Sequence, residues 1–267
     1  MLHKFKTMKI LITGANGYIG KSLYNTLKDK YEVVTITRQD FDLTNAVAMS
    51  KFFESKDLFD VVIHCAVAGG SRLVEDDWGV MDTNLIMYYN LLSCKKHFKR
   101  LIHFGSGAEA YLPKTPYGYS KKVIAKSILN QDDFYNIKIF GLFVEDELDT
   151  RFIKANIKRY INKEPIQIHE NKFMDFFYMK DLIEVVDYYI NNEEPLKEFD
   201  CSYDGINSLK EIADMINDLD EHKVEVRVQK EDGSDYTSHY YNNLPIEFIG
   251  LEEGIKIMYN KIKNESN

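Results

Sequence analysis

Tyr117 and Lys121 stand four residues apart in Tyr117-Gly-Tyr-Ser-Lys121, the spacing that sets two side chains on one face of a helix. A phenol ordinarily titrates near 10, and an ammonium beside it favours the phenolate. Such a pair can give or take a proton near neutrality, the work of a general acid–base. Ser106, just after a short apolar run, offers a hydroxyl to the same substrate oxygen. Nearer the N-terminus, Thr13-Gly14-Ala15-Asn16-Gly17-Tyr18-Ile19-Gly20 closes another apolar run. Gly14 permits a tight turn, Gly17 lets a pyrophosphate approach the main chain, and Gly20 lets a helix pack on a strand. A helix starting here aims N–H groups at phosphates, with Asn16, Tyr18 and Ile19 in the contact stretch. A bound dinucleotide and a tuned phenol are together the parts of hydride chemistry at a carbonyl carbon.

Those side chains need a scaffold, and the first half of the chain alternates between two kinds of element. Lys9–Thr13, Glu32–Thr37, Phe59–Cys65, Arg100–Phe104 and Asn136–Phe140 are short apolar or β-branched runs. Between them Tyr18–Lys28, Thr44–Ser55, Met81–Lys96 and Tyr117–Leu129 read as helices. Apolar strands separated by helices describe a parallel sheet covered on both faces, and right-handed crossovers make it a doubly wound α/β fold. The second half is less regular. Helices are expected at Thr150–Asn162, Met179–Asn191, Ser208–Leu219 and Leu251–Ile262, with strands at Pro165–His169 and Phe199–Tyr203. The expected organisation is a Rossmann domain over 1–141, rejoined by a strand and helix from 177–204. Segments 142–176 and 205–267 form a smaller mixed α/β lobe for substrate.

The end of the second strand bears on the cofactor. Thr37-Arg38 stands where an acidic residue would hold a ribose 2′-hydroxyl; an arginine there pairs with a 2′-phosphate. NADP(H) is therefore expected ahead of NAD(H), with Asp42 and Leu43 at the adenine edge. Composition narrows the partners. Among 267 residues, 34 Lys and Arg face 42 Asp and Glu, a net charge of −8, which leaves no basic field for nucleic acid or an anionic membrane. No stretch approaches the ~18 apolar residues of a membrane span. Three cysteines, Cys65, Cys94 and Cys201, are too few and scattered for a disulfide framework or a metal site. Met1–Thr7 has basic residues but no apolar stretch of a secretory signal, so a cytoplasmic location is expected.

The sequence resembles the extended short-chain dehydrogenase/reductase family of nucleotide-sugar epimerases, dehydratases and reductases. The residues that carry the likeness are Thr13–Gly20, His64–Gly70, Ser106, Tyr117, Lys121 and, less specifically, Asp175–Asp181. Thr37-Arg38, Asp40–Leu43 and Ala68-Gly69-Gly70 make it most similar to the GDP-fucose synthase and 4-ketoreductase branch. The resemblance implies catalytic Ser106, Tyr117 and Lys121, with Lys121 also holding the nicotinamide ribose. It implies Cys65, Ala66 and Ala68 beside the cofactor, and Gly70, Ser71, Gly107, Ala108 and Phe143 beside a nucleotide-linked sugar. It also implies a homodimer joined through helices 81–96 and 117–129.

Departures from the branch select the reaction. The epimerising relatives carry a Cys two residues after the active Ser, where this chain has Ala108, and a His in a segment that here, from Phe143 to Phe152, has none. Ser106 lies five residues before Tyr111, one more than usual, so an alignment on Tyr111 would put Gly107 in its slot; the strand end favours Ser106. The usual pyrophosphate-gripping Arg is Met174, for which Lys172 or Arg151 could substitute. The expected activity is NADPH-dependent reduction of a 4-keto-6-deoxy nucleotide sugar. The alternatives are a C4 epimerase, a C3/C5 epimerase-reductase and a non-catalytic NADP sensor. A chain shorter than the 300 or so residues common in the family suits the simple reductase. His64 and His103 read as packed core histidines, and Glu75-Asp76-Asp77 as a solvated loop, the alternative being that with Ser71 and Arg72 it borders the substrate. The loop from Asp232 to Tyr241 could close over it.

Overall fold

The computed structural model describes residues 8–71, 74–238 and 244–265. Arg72, the N-terminal segment 1–7 and the end of the 232–241 loop lie outside them. The elements run β1 (Lys9–Thr13), α1 (Tyr18–Leu27), β2 (Glu32–Ile36), α2 (Ala46–Glu54), β3 (Phe59–His64), α3 (Trp78–Ser93), β4 (Phe98–Ser106), α4 (Ala108–Tyr111), α5 (Pro116–Ile128) and β5 (Phe134–Ile139). There follow β6 (Leu142–Phe143), α6 (Phe152–Ile161), β7 (Ile166–Glu170), β8 (Phe177–Tyr178), α7 (Met179–Asn191), β9 (Glu198–Cys201), α8 (Leu209–Asn217), β10 (Val226–Lys230) and α9 (Leu251–Glu265).

Six strands form one parallel sheet in the order β2-β1-β3-β4-β5-β9, the α/β architecture expected from the alternating pattern. Its winding reverses between β1 and β3, and in such sheets ligands bind outside the strand C-termini at that reversal. Thr13, the last residue of β1, is paired with Ile36 on one side and His64 on the other. The loops that follow β1, β2 and β3 therefore leave the sheet together. Local chemistry fixes the helix starts. Thr115 accepts a hydrogen bond from the Gly118 N–H, and Pro116 opens α5 with φ already set. Asn45 caps α2, which moves that helix two residues beyond the expected start at Thr44. The expected strand at 100–104 is longer, because Phe98 and Phe134 stack at its foot at 5.8 Å and extend the pairing.

By their contacts the residues form two compact units. One comprises the chain up to Lys138 with Val186–Phe199. Leu11, Ile36, Phe53, Phe59, Val62, Tyr88, Leu101 and Ile124 make the core beneath one face of its sheet. The other comprises Ile139–Val185 and the chain from Asp200 onward. It has two parallel strand pairs, β7 with β10 and β6 with β8, around a core that includes Ile153, Tyr160, Ile168, Tyr178, Ile212 and Ile255. Asp181 anchors α9 there: its carboxylate accepts from the Ile249 and Gly250 N–H groups at 2.8 and 3.0 Å and from the Tyr203 hydroxyl. No helix among the described residues is long and apolar enough to cross a membrane.

This second unit contains a buried carboxyl with a clear pH signature. Neither oxygen of Glu147 has a hydrogen-bond partner among the described residues, and burial pushes its pKa up to about 8, against the pull of Arg151 and Lys154. The folded value lies above the unfolded one, so the native state binds the extra proton between about 4.5 and 8, and stability falls as pH rises through that window. Glu147→Gln, neutral throughout, is expected to match wild type near pH 5. At pH 8.5 it should gain on the order of 2 kcal/mol, or about 4–8 °C in Tm. Thermal unfolding at the two pH values checks this, and equal effects at both would contradict it.

Candidate active site

The glycine turn is built by close approach of main chain. Gly14 has φ +68°, and a Cβ on it would lie 2.6 Å from the Ala66 nitrogen. Its N–H donates to the Ile36 carbonyl at 2.9 Å, and the Cys65 N–H donates to the Thr13 carbonyl at 3.2 Å. A Cβ on Gly20 would sit 2.5 Å from the Gly14 carbonyl oxygen, so the first turn of α1 lies directly on the loop. Gly17 occupies the N-cap position of α1, with no side-chain cap and no acidic residue in the first turn. Asn16 and Tyr18 flank it, and the turn's side-chain-free face and uncapped N–H donors fit the pyrophosphate of a dinucleotide. No ligand-forming group of three His, Cys, Asp or Glu occurs among the described residues.

Arg38 is exposed just beyond β2. Asp42 is held low, first by the Thr44 N–H and hydroxyl, each at 2.8 Å, and last by the charge of Arg38. Leu43 is placed differently from the expectation. Its side chain is 6% exposed and joins the sheet core, while its carbonyl accepts from Asn90. Only its main chain is left for an adenine edge. Ala68 is gripped by Asn84 of α3. The Asn84 carbonyl accepts from the Ala68 N–H at 2.8 Å, and its NH2 donates to the Ala68 carbonyl at 3.1 Å and to Ser120 at 3.2 Å. Sequence reasoning missed this residue; the only signal was one buried Asn in an otherwise apolar stripe of helix.

Tyr117 and Lys121 lie on α5 as the spacing requires. Lys121 is buried, its Nζ donates to the Phe104 carbonyl at 2.6 Å, and the ammonium is 5.7 Å from the Tyr117 ring centre. Burial lowers its pKa to about 8, against the opposing effects of Glu109 and Cys65. Gly118 between them is obligatory, since a Cβ would lie 2.0 Å from the Leu112 carbonyl oxygen. Ser106 ends β4, and its Oγ accepts from the Ala108 N–H at 3.2 Å. Gly107 and Ala108 are buried at the start of the short helix α4.

Glu109, another residue the sequence did not single out, turns inward beneath this loop. Its Oε1 accepts from the Ser106 N–H at 3.0 Å, and Asn136 Nδ2 stands 3.4 and 3.5 Å from its two oxygens. Gly105 is glycine because a Cβ would meet that carboxylate at 2.4 Å. Burial raises Glu109 to about 7, with Ser106, Lys138, Asn136 and Lys121 pulling the other way. His64 and His103 are buried core residues. His64 Nδ1 is 2.8 Å from the Thr13 hydroxyl, and burial keeps both rings neutral, His64 down to about 3.

Among the expected substrate contacts, Gly70 lies against the Tyr117 ring and Ser71 is exposed. Phe143 is a correction. Its ring is 1% exposed, packed on Tyr178 at 5.1 Å and against Gly254 of α9, so it is a core residue of the second unit. Met174 is also buried in that core. Arg151 stands beside Glu147 at 3.8 Å.

A glycine turn at the sheet's reversal, with a Tyr–Lys pair on α5, defines an NAD(P)-dependent oxidoreductase of the short-chain dehydrogenase/reductase type. The model of the NAD dependent epimerase/dehydratase family matches residues 10–201, and the chain belongs to that family, whose members modify nucleotide sugars. Among curated relatives, the GDP-L-colitose synthase of Yersinia pseudotuberculosis is 25% identical over 225 residues, 69% of this chain and 73% of that protein. The CDP-abequose synthase of the same species is 24% identical over 246 residues, 79% of this chain and 84% of that one. Among solved structures, the GDP-mannoheptose C4 reductase of Campylobacter jejuni, with NADP bound, superposes with a TM-score of 0.77 at 18% identity. The match covers 97% of this chain and 99% of that one. The UDP-glucose 4-epimerase of Thermotoga maritima gives 0.77 at 15% identity over 97% and 100%. The shared fold spans reductases and epimerases alike.

Proposed function

We propose that the protein reduces the 4-keto group of a nucleotide-linked 6-deoxy sugar at the expense of NADPH. The observation that carries this reading is a complete set of groups for one proton transfer at a carbonyl oxygen, in a sequence that lacks the second acid and base of the epimerising relatives. Ser106, Tyr117 and Lys121 form that set, while Ala108 and the His-free segment from Phe143 to Phe152 occupy the other positions. The Gly14–Gly20 turn, Arg38 and the Cys65–Ala68 loop would hold NADPH, which would supply the hydride. Tyr117 gives its hydroxyl proton to the oxygen of the reduced carbonyl, and Ser106 Oγ orients that oxygen. The buried Lys121 Nζ places positive charge beside the phenol and eases loss of its proton. The first unit holds the cofactor and these three residues; the second is assigned to the sugar nucleotide. Structural neighbours crystallised with NADP and the two synthase relatives support cofactor and substrate class.

A panel of GDP-, dTDP-, CDP- and UDP-linked 4-keto-6-deoxy sugars tests the reading through NADPH absorbance and product NMR. The expected result is stoichiometric oxidation of NADPH with one member; turnover without net oxidation would make the protein an epimerase. Tight NADPH binding with no turnover on any member would make it a sensor. Replacing Arg38 with Ala is expected to weaken NADPH binding about 10- to 100-fold, the worth of one or two charged hydrogen bonds, while leaving NADH binding unchanged. Fluorescence titration with both cofactors decides, and an unaltered preference would contradict the 2′-phosphate role.

A homodimer through α3 and α5 is part of the same proposal. Ile86 and Tyr89 of α3 and Tyr119 of α5 are each 43–45% exposed, large apolar side chains that a helix-pair interface would cover. Light scattering should give twice the 31.2 kDa chain mass, falling to one chain for Ile86→Glu. A monomeric wild type would remove the interface. The enzyme is assigned to the cytoplasm, where NADPH and nucleotide sugars are made.

A further inference from the structure

We propose that Asp76 is a positioning residue for Tyr117, acting through the Gly69–Gly70 turn. The inference rests on the reading of Tyr117 as the proton donor. Gly69 and Gly70 have φ of +69° and +75°, two consecutive left-handed residues that only glycine adopts without cost. Such a turn has no side chains of its own to fix it. Asp76 supplies the anchor. Its Oδ2 and Oδ1 lie 2.9 and 3.2 Å from the Gly70 nitrogen, and both accept from that one N–H. The same Oδ1 is 2.5 Å from where a Gly69 Cβ would be, so the carboxylate fills the space beneath the turn. A charged acceptor on a main-chain N–H is among the stronger hydrogen bonds available.

The other side of the turn faces the phenol. A Cβ on Gly70 would lie 2.7 Å from Tyr117 Cε2, 2.8 Å from Cζ and 3.1 Å from Cδ2. The main chain of Gly70 thus packs on the edge of the ring that bears the hydroxyl. Lys121, tethered to the Phe104 carbonyl, stands over the same ring. The phenol is bracketed between an ammonium fixed by β4 and a turn fixed by Asp76. The anchor directly precedes Asp77, the N-cap residue of α3. Asn84 of that helix grips Ala68, so α3 and the residue before its N-cap together hold the loop after β3 at two points. Within the acidic run Asp76 is the residue bonded to the turn, and it acts on the phenol through the Gly70 main chain.

Displacement of a reacting group by about 1 Å can cost a hundredfold in rate. Asp76→Ala is expected to lower kcat for ketone reduction about 10- to 100-fold, with KM for NADPH within twofold of wild type. Asp76→Asn keeps an oxygen that accepts from the Gly70 N–H and should restore kcat to within about fivefold. A second readout needs no substrate: 3-fluorotyrosine placed at position 117 of the full chain, followed by 19F NMR. One narrow resonance is expected in the wild-type background and in Asp76→Asn, and a shifted or split one in Asp76→Ala with thermal stability retained. An Asp76→Ala spectrum identical to wild type would overturn the proposal, as would an Asn variant as impaired as Ala. If the wild type reduces none of the ketosugars, the spectra still decide on Asp76, and only the reading of the reaction fails.

Discussion

Tyr117→Phe is expected to lower kcat for ketone reduction by about 10²–10⁴-fold, the usual contribution of a positioned general acid. NADPH affinity and Tm should stay near wild type. The ring remains bracketed by Gly70 and Lys121 in the variant, since neither contact uses the hydroxyl. The proton is lost while the ring keeps these contacts, so the deficit belongs in kcat more than in cofactor binding. Wild-type kcat should also decline above about pH 8, where Lys121 loses the charge that favours proton release from the phenol. Steady-state kinetics with NADPH and the best ketosugar give both results. A Phe variant with more than a tenth of wild-type kcat would remove Tyr117 from the mechanism.

Gly14→Ala carries the second large effect, on binding and stability together. At φ +68° an alanine is strained by about 1–3 kcal/mol. Its Cβ would also lie 2.6 Å from the Ala66 nitrogen, 2.7 Å from Ala66 Cα and 2.9 Å from the Cys65 carbonyl carbon. These are main-chain atoms of the loop after β3, which cannot swing aside as a flexible side chain would. The turn must open, so NADPH binding should weaken at least about tenfold and Tm fall by several degrees. Gly205→Ala separates the two causes. Gly205 has φ +92° with nothing among the described residues within 4 Å of its would-be Cβ, so that variant should show the strain alone and bind NADPH normally. Thermal unfolding and fluorescence titration measure both, and wild-type NADPH affinity in Gly14→Ala would contradict the role of the turn.

The sheet and the placing of Tyr117 and Lys121 together on one helix were legible in the sequence because each rests on local, repeated signals. Apolar runs alternating with helical stretches leave few other packings, and Tyr117, Lys121 and the glycine turn are fixed by spacing along one element. What escaped notice depends on distant partners. Asp76 reads as one of three acidic residues in a row until the Gly69–Gly70 turn is brought against it. Asn84 and Glu109 look like polar positions of ordinary helices, and their roles appear only once Ala68 and Ser106 are folded onto them. Phe143 was misplaced for the same reason, since it is buried against Tyr178 and against Gly254, the latter over a hundred residues away. The pairs β6 with β8 and β7 with β10 were not anticipated. Two-residue strands carry no periodicity, and β10 is largely exposed and polar.

Isotope transfer tests the central claim most directly. With NADPH deuterated at the transferring C4 position, wild-type protein and the preferred 4-ketosugar nucleotide should yield one deuterium at sugar C4 for each NADPH oxidised, with C3 and C5 still protonated in product formed in light water and no solvent deuterium there in heavy water. Product free of deuterium at C4, or sugar inverted at C4 while NADPH is left intact, would contradict the reductase account.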